Sequence, residues 1–132
     1  MNQPTKVFTP AEANRMLPLV SRIVRDILAD GRELYALDDV KDPDTASDRL
    51  GHLLKDVNGC IHELRQLGFT FKEWDEELGL VDFPAQINGE EVLLCWRSDE
   101  EAVTHYHGYD DGYKGRKPIP EHLLEAAPEP TV

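Results

Sequence analysis

The hydrophobic period of this chain changes once, at Gly68. Ahead of it, apolar residues recur three and four apart in two runs. The first is Met16, Leu17, Val20, Ile23, Val24, Ile27, Leu28 and Leu34; the second is Leu50, Leu53, Leu54, Val57, Cys60, Ile61, Leu64 and Leu67. That spacing places each run on one side of an α-helix. Behind Gly68, aromatic and β-branched residues alternate with polar ones, which is the period of a half-buried strand. The pattern predicts an α+β fold, with a long antiparallel helical hairpin packed on a four-stranded antiparallel β-meander.

Local chemistry marks the boundaries. Thr9-Pro10-Ala11-Glu12 offers a capping threonine, a proline suited to the first helical position and a glutamate that can reach back, so one helix spans about 10–37. Pro18 inside it removes one backbone bond and should bend the first turns. A polar connection from Asp38 to Ser47 contains Pro43, and Asp44, Thr45 or Ser47 can cap a second helix over about 45–67 that stops at Gly68. Strands are predicted at Phe69 to Trp74, Leu80 to Ile87, Val92 to Arg97 and Val103 to His107.

Asn88-Gly89 is the strongest turn signal. A two-residue type I′ turn there pairs Ile87 with Glu90, Ala85 with Val92, Phe83 with Leu94 and Val81 with Trp96, which makes one apolar face directed at the helices. The opposite face then sets Asp82 across from Cys95, with Leu80 across from Arg97. Trp74, Trp96, Phe69, Phe71 and Phe83 alternate as strand residues do and are core rather than a ligand box. A Gly-rich loop follows at 108–117, and the chain is read as one domain over 1–118 with a mobile tail at 119–132.

Composition narrows the function classes. With 132 residues, 40% of them apolar and 30% charged, the chain can bury one ordinary core. Its formal charge of −12 repels phosphate backbones and anionic headgroups, so neither nucleic acid nor a membrane surface is an expected partner. The charge is uneven: residues 1–37 carry five basic and four acidic side chains, residues 68–104 two basic and ten acidic. Two cysteines are too few for a disulfide scaffold, and neither a signal-like start nor a membrane-length apolar run is present, so the expected location is cytoplasmic.

The segments Gly79-Leu80-Val81-Asp82-Phe83-Pro84, Leu94-Cys95-Trp96-Arg97, His107 and Gly115-Arg116 resemble the signature of an uncharacterised, mainly bacterial family, the domain of unknown function numbered twenty-two-oh-three. Phe8-Thr9 with Glu12, Ala13, Asn14, Leu17 and Pro18 is similar to that family's N-terminal pattern. The resemblance covers most of residues 7–118 and implies no established activity. Asp99-Glu100-Glu101 stands where the family pattern has Gly-Glu-Pro, with Glu100 retained, and Tyr106 stands where it has Trp. The resemblance carries over to Asp82, Cys95, Arg97, His107 and Arg116 as signature positions.

Two function classes compete for these residues. A metal-assisted or acid/base site could use Asp82 and His107 with His105, Asp110 or Asp111, because carboxylate and imidazole hold divalent metals and leave room for water. Whether His105 and His107 share the Asp82 face depends on the parity of the loop before them. Taking Cys95 as a nucleophile with His107 as base is disfavoured, because acidic neighbours raise a thiol pKa. Plainer readings are a core Cys95 and an ion pair of Asp82 with Arg97 or Arg116.

The second class is a non-catalytic binding or assembly module. The apolar stripe of the first helix, Leu19, Val20, Ile23, Val24, Ile27 and Leu28, spreads over more than one face and suggests self-association or a protein partner. Glu100 completes the candidate site of Asp82, Cys95, Arg97, His107 and Arg116.

Overall fold

The computed structural model describes residues 7–73, 75 and 77–124, with the side chain of residue 73 excepted. Helix α1 runs Pro10–Ala36 and begins with the full capping box: Glu12 N–H donates to Thr9 Oγ1 at 3.1 Å and Thr9 N–H donates to Glu12 Oε1 at 3.0 Å. It continues through Pro18. After a 3-10 turn at Leu37–Asp39, helix α2 runs Pro43–Gln66. Its cap is Asp42 rather than Asp44, Thr45 or Ser47, because Pro43 takes the first helical position, where its missing N–H costs nothing. Glu33 meets Arg49 near the connection while Asp26 lies beside Glu63 further along, so the two helices run in opposite directions.

Gly68 adopts φ +97° and ends α2. Five antiparallel strands follow in the order β1-β2-β3-β4-β5: Thr70–Glu73, Gly79–Ile87, Glu90–Arg97, His105–His107 and Lys117–Pro118. The sheet thus has one strand more than the alternation predicted, since β5 is two residues long and too short to show a period. Trp74, expected to close the first strand, lies outside the described residues. Asn88 at φ 54° and Gly89 at φ 82° make the predicted turn, and each of the four pairs counted outward from it is present, as is Asp82 opposite Cys95.

One face of the sheet packs on the helices. Phe69, Val81, Phe83, Ala85, Leu94 and Trp96 are buried with Val20, Ile23, Val24 and Ile27 of α1 and Leu64 of α2. The sheet therefore covers most of the α1 stripe and leaves Leu19 exposed. Gly79 has to be glycine here, because a Cβ would sit 2.5 Å from the Phe71 ring. Pro84 interrupts no ladder bond on the β1 side: β1 ends opposite Asp82, and Phe8 N–H donates to the Pro84 carbonyl at 2.7 Å beyond it.

The domain also reaches past residue 118. Ile119 is buried and its N–H donates to the Thr104 carbonyl, and a short helix α3, Glu121–Leu124, lies against α1. The expected tail thus begins with ordered structure, and its remainder at 125–132 lies outside the described residues.

The loop between β3 and β4 decides what faces the back of the sheet. Asn14 on α1 holds Val103 through both ends of its amide, donating from Nδ2 to the Val103 carbonyl at 3.1 Å and accepting the Val103 N–H at Oδ1 at 2.7 Å. The strand that leaves this clamp pairs His105 with Cys95 and His107 with Leu93. Both histidines consequently share the Asp82 face, while Tyr106 turns to the core.

Candidate functional site

Behind the sheet, three neighbouring strands bring Asp82, Cys95 and His107 together. Asp82 and Cys95 are direct cross-strand partners on β2 and β3, and His107 enters from β4 two positions beyond the residue opposite Cys95. All three are buried, at 6%, 1% and 4% exposure, although they lie on the face away from the helices. From the chain after β4, Arg116 reaches the Cys95 sulfur, with Glu100 and Tyr113 against its guanidinium.

His107 Nε2 lies 3.3 Å from Asp82 Oδ1. Its Nδ1 lies 2.8 Å from the Gly108 carbonyl oxygen, which can only accept, so Nδ1 carries a hydrogen. In the neutral imidazole Nε2 then presents a lone pair to the carboxylate. The contact is favourable only when a proton or a cation lies between the two atoms. Burial pushes the Asp82 carboxyl above the ordinary range, against the opposing pull of His107, Lys72 and the Cys95 thiol. Burial, and next the Asp82 charge, push the Cys95 thiol up to about 11, which leaves it protonated and slow to react at neutral pH.

Arg116 closes the site. It donates to Glu100 from Nη1 at 3.0 Å and from Nη2 at 2.5 Å, and its guanidinium lies 4.7 Å from the centre of the Tyr113 ring. Glu100 also accepts the Arg97 N–H at 2.7 Å. Burial alone would raise the Glu100 carboxyl, but the bonds from Arg116 and the Arg97 amide outweigh it and hold it below the ordinary range. Arg97 turns outward to Asp99 and donates to Tyr113 Oη at 2.8 Å. The predicted ion pair of Asp82 with Arg97 or Arg116 is therefore not formed. Each arginine reaches an acid in the turn after β3, while Asp82 keeps His107.

Of the residues read from the sequence, Asp82, Cys95 and His107 form the buried centre, and Arg116 and Glu100 its cover. Arg97 stands at the rim. His105 is half-buried opposite Cys95, with Nδ1 2.8 Å from Thr104 Oγ1, and does not join the three. Asp110 is exposed on the Gly-rich loop, and Asp111 accepts the Gly108 N–H. Tyr113, Asp99 and Asn14 were not singled out as site residues. An aromatic side chain between Gly112 and Gly115 was the one local sign of Tyr113, and the sign of Asn14 was its place in the family's N-terminal pattern.

Of the signature positions of the resemblance, Asp82, Cys95 and His107 meet at the centre, Arg116 lies against it with the retained Glu100, and Arg97 stands at the rim. A family model described as an uncharacterized conserved protein, DUF2203, matches residues 6–119. The chain belongs to that family. The matched span of this DUF2203 member runs from just before Phe8, which binds the β2 edge, to Ile119, which binds Thr104, and so encloses the whole sheet. No curated protein and no solved structure matches the chain.

A second surface lies on the helices. A groove of about 500 Å³ runs between α1, α2 and β1, lined among others by Ile27, Leu34, Val57, Ile61 and Phe71. It is apolar and half-open, whereas the buried acid, thiol and imidazole line none of the described cavities. Among the described residues, no helix is long and apolar enough to cross a membrane.

Proposed function

We propose that this chain is a non-catalytic binding or assembly module of the cytoplasm, and that a second copy docks on the free end of its helical pair. One observation carries the reading: α2 buries only Leu53 and Leu64 along 24 residues, and α1 buries nothing after Ile27. The helical pair therefore extends past the sheet that covers its base. Leu50 and Leu54 are 43% and 45% exposed at that end, in line with half-buried Val57 and Ile61 at the groove. An apolar stripe left unpaired on a long helix is the usual surface for another helix.

Covering the exposed parts of two leucines on each of two copies is worth about 1 kcal/mol apiece. A stable dimer therefore also draws on the groove lining. The charge of −12 works against two copies meeting, so added salt should strengthen the association by screening it. Cys60 and Cys95 are free thiols, which accords with a reducing compartment.

Light scattering across micromolar concentrations, at low and high salt, tests the proposal. The expected result is a dimer favoured by salt and lost in Leu50→Glu/Leu54→Glu; a wild-type monomer under all conditions removes it. The alternative, a metal-dependent enzyme using Asp82 and His107, draws support from their closeness. It has to bring a substrate to two buried groups while Arg97 and Arg116, either of which could hold an anionic substrate there, are already occupied by Asp99 and Glu100.

A further inference from the structure

We infer that Asp82, Cys95 and His107 form a binding site for a single divalent transition-metal ion of the zinc class, independent of any association through the helices. One oxygen, one sulfur and one nitrogen from these residues all lie within 4.8 Å of one another, and all three residues are buried. Zinc with bonds of about 2.0–2.3 Å keeps tetrahedral ligands roughly 3.3–3.8 Å apart. The 3.3 Å between Asp82 Oδ1 and His107 Nε2 already fits, and the widest separation closes with a shift of about an ångström or less.

The donor set and its surroundings agree with that ion. A thiolate with an imidazole selects zinc or its neighbours over magnesium and calcium, which take oxygen. The ligands come from three adjacent strands of one sheet, a rigid base for a site. His107 already has its ring set for ligation: Nδ1–H is held by the Gly108 carbonyl, which leaves the Nε2 lone pair free beside Asp82 Oδ1, the arrangement found around metal-bound histidines.

Charge balances as well. An ionised Asp82 and a Cys95 thiolate supply two negative charges for a dication, while Arg116 and Glu100 neutralise each other beside it. Arg116 also reaches the Cys95 sulfur and can support it as a thiolate. On binding, the Cys95 thiol proton and the proton between His107 and Asp82 pass to solvent, and the metal takes their place. Three protein ligands leave a fourth position, which a water molecule can fill.

Cobalt(II) added to the full chain, purified without a metal-affinity tag and stripped with chelator, tests the site. The expected result is saturation at one equivalent, with visible absorption typical of tetrahedral cobalt and a near-ultraviolet sulfur-to-cobalt band that zinc then displaces. Cys95→Ser should lose the sulfur band, Asp82→Asn and His107→Ala the one-equivalent saturation, and Cys60→Ala neither. A folded wild type with no absorption change, or a sulfur band that follows Cys60, overturns the inference. Should Cys95→Ser fail to fold, alkylation of wild-type Cys95 decides: zinc must slow it at least tenfold, and an unchanged rate rejects the site.

Discussion

Arg116 grips both oxygens of Glu100 across 16 residues of sequence, and the same carboxylate accepts the amide of Arg97 at the end of β3. One acid thus ties the turn after β3, the strand itself and the segment entering β5 into the cover of the buried centre. Both partners are largely removed from water, so breaking the pair on one side leaves the other charge without compensation.

Arg116→Met should accordingly cost about 2–3 kcal/mol in urea denaturation. Removing both charges, as Glu100→Leu/Arg116→Met, should cost less than the single change, because no stranded charge remains. A double variant worse than the sum of its parts would show that the pair stabilises beyond its own neutralisation.

Glu100 also sets a pH dependence. Its folded-state carboxyl lies below the ordinary 4.5, so the unfolded chain binds the proton more tightly and stability falls as pH drops from about 4.5 through the lower folded value. Above that window the contribution is complete. Thermal unfolding of wild type and Glu100→Gln from pH 2 to 6 should show the gap between them widening with rising pH and levelling near pH 5.

Asn14→Ala strands the N–H and carbonyl of Val103, a fully buried residue. The expected loss is about 2–3 kcal/mol for two unsatisfied groups. Hydrogen exchange at the Val103 amide should quicken well before the rest of the sheet opens, a local signature that a general loss of packing would not give.

The metal-free protein should show unequal thiols. Cys95 is buried with its pKa pushed up to about 11, while Cys60 is half-buried on α2. At pH 8 a thiol of that pKa holds roughly two orders of magnitude fewer thiolates than an ordinary one. Alkylation followed by mass analysis should mark Cys60 first, and Cys95 measurably but at least tenfold more slowly in the folded, metal-free protein.

How much of this could be read from the residues follows from the range of the forces involved. Thr9 with Glu12, Gly68 and Asn88-Gly89 act over three residues or fewer, and each sits where local chemistry puts it. The type I′ turn also fixes parity along nine residues of β2, which is why Asp82 opposite Cys95 was legible. The side of the sheet taken by His105 and His107 was not, because Asn14 fixes the loop before them from 89 residues away. The choice of His107 over an arginine as the partner of Asp82 was hidden with it, because the side of the sheet that His107 takes follows from that loop. Strand β5 carries two residues and no period, and exists because Arg116 and Ile119 are each held from elsewhere.

The clamp between Asn14 and Val103 also bears on how the chain is made. A ribosome releases α1 and α2 long before Val103, so during synthesis the helices exist without the sheet that shields the Val20 to Ile27 stripe. Closure of the core waits for a contact between the tenth part of the chain and its last quarter, a late, long-range step. In the interval the emerging helices need either each other or a chaperone to keep that stripe out of water.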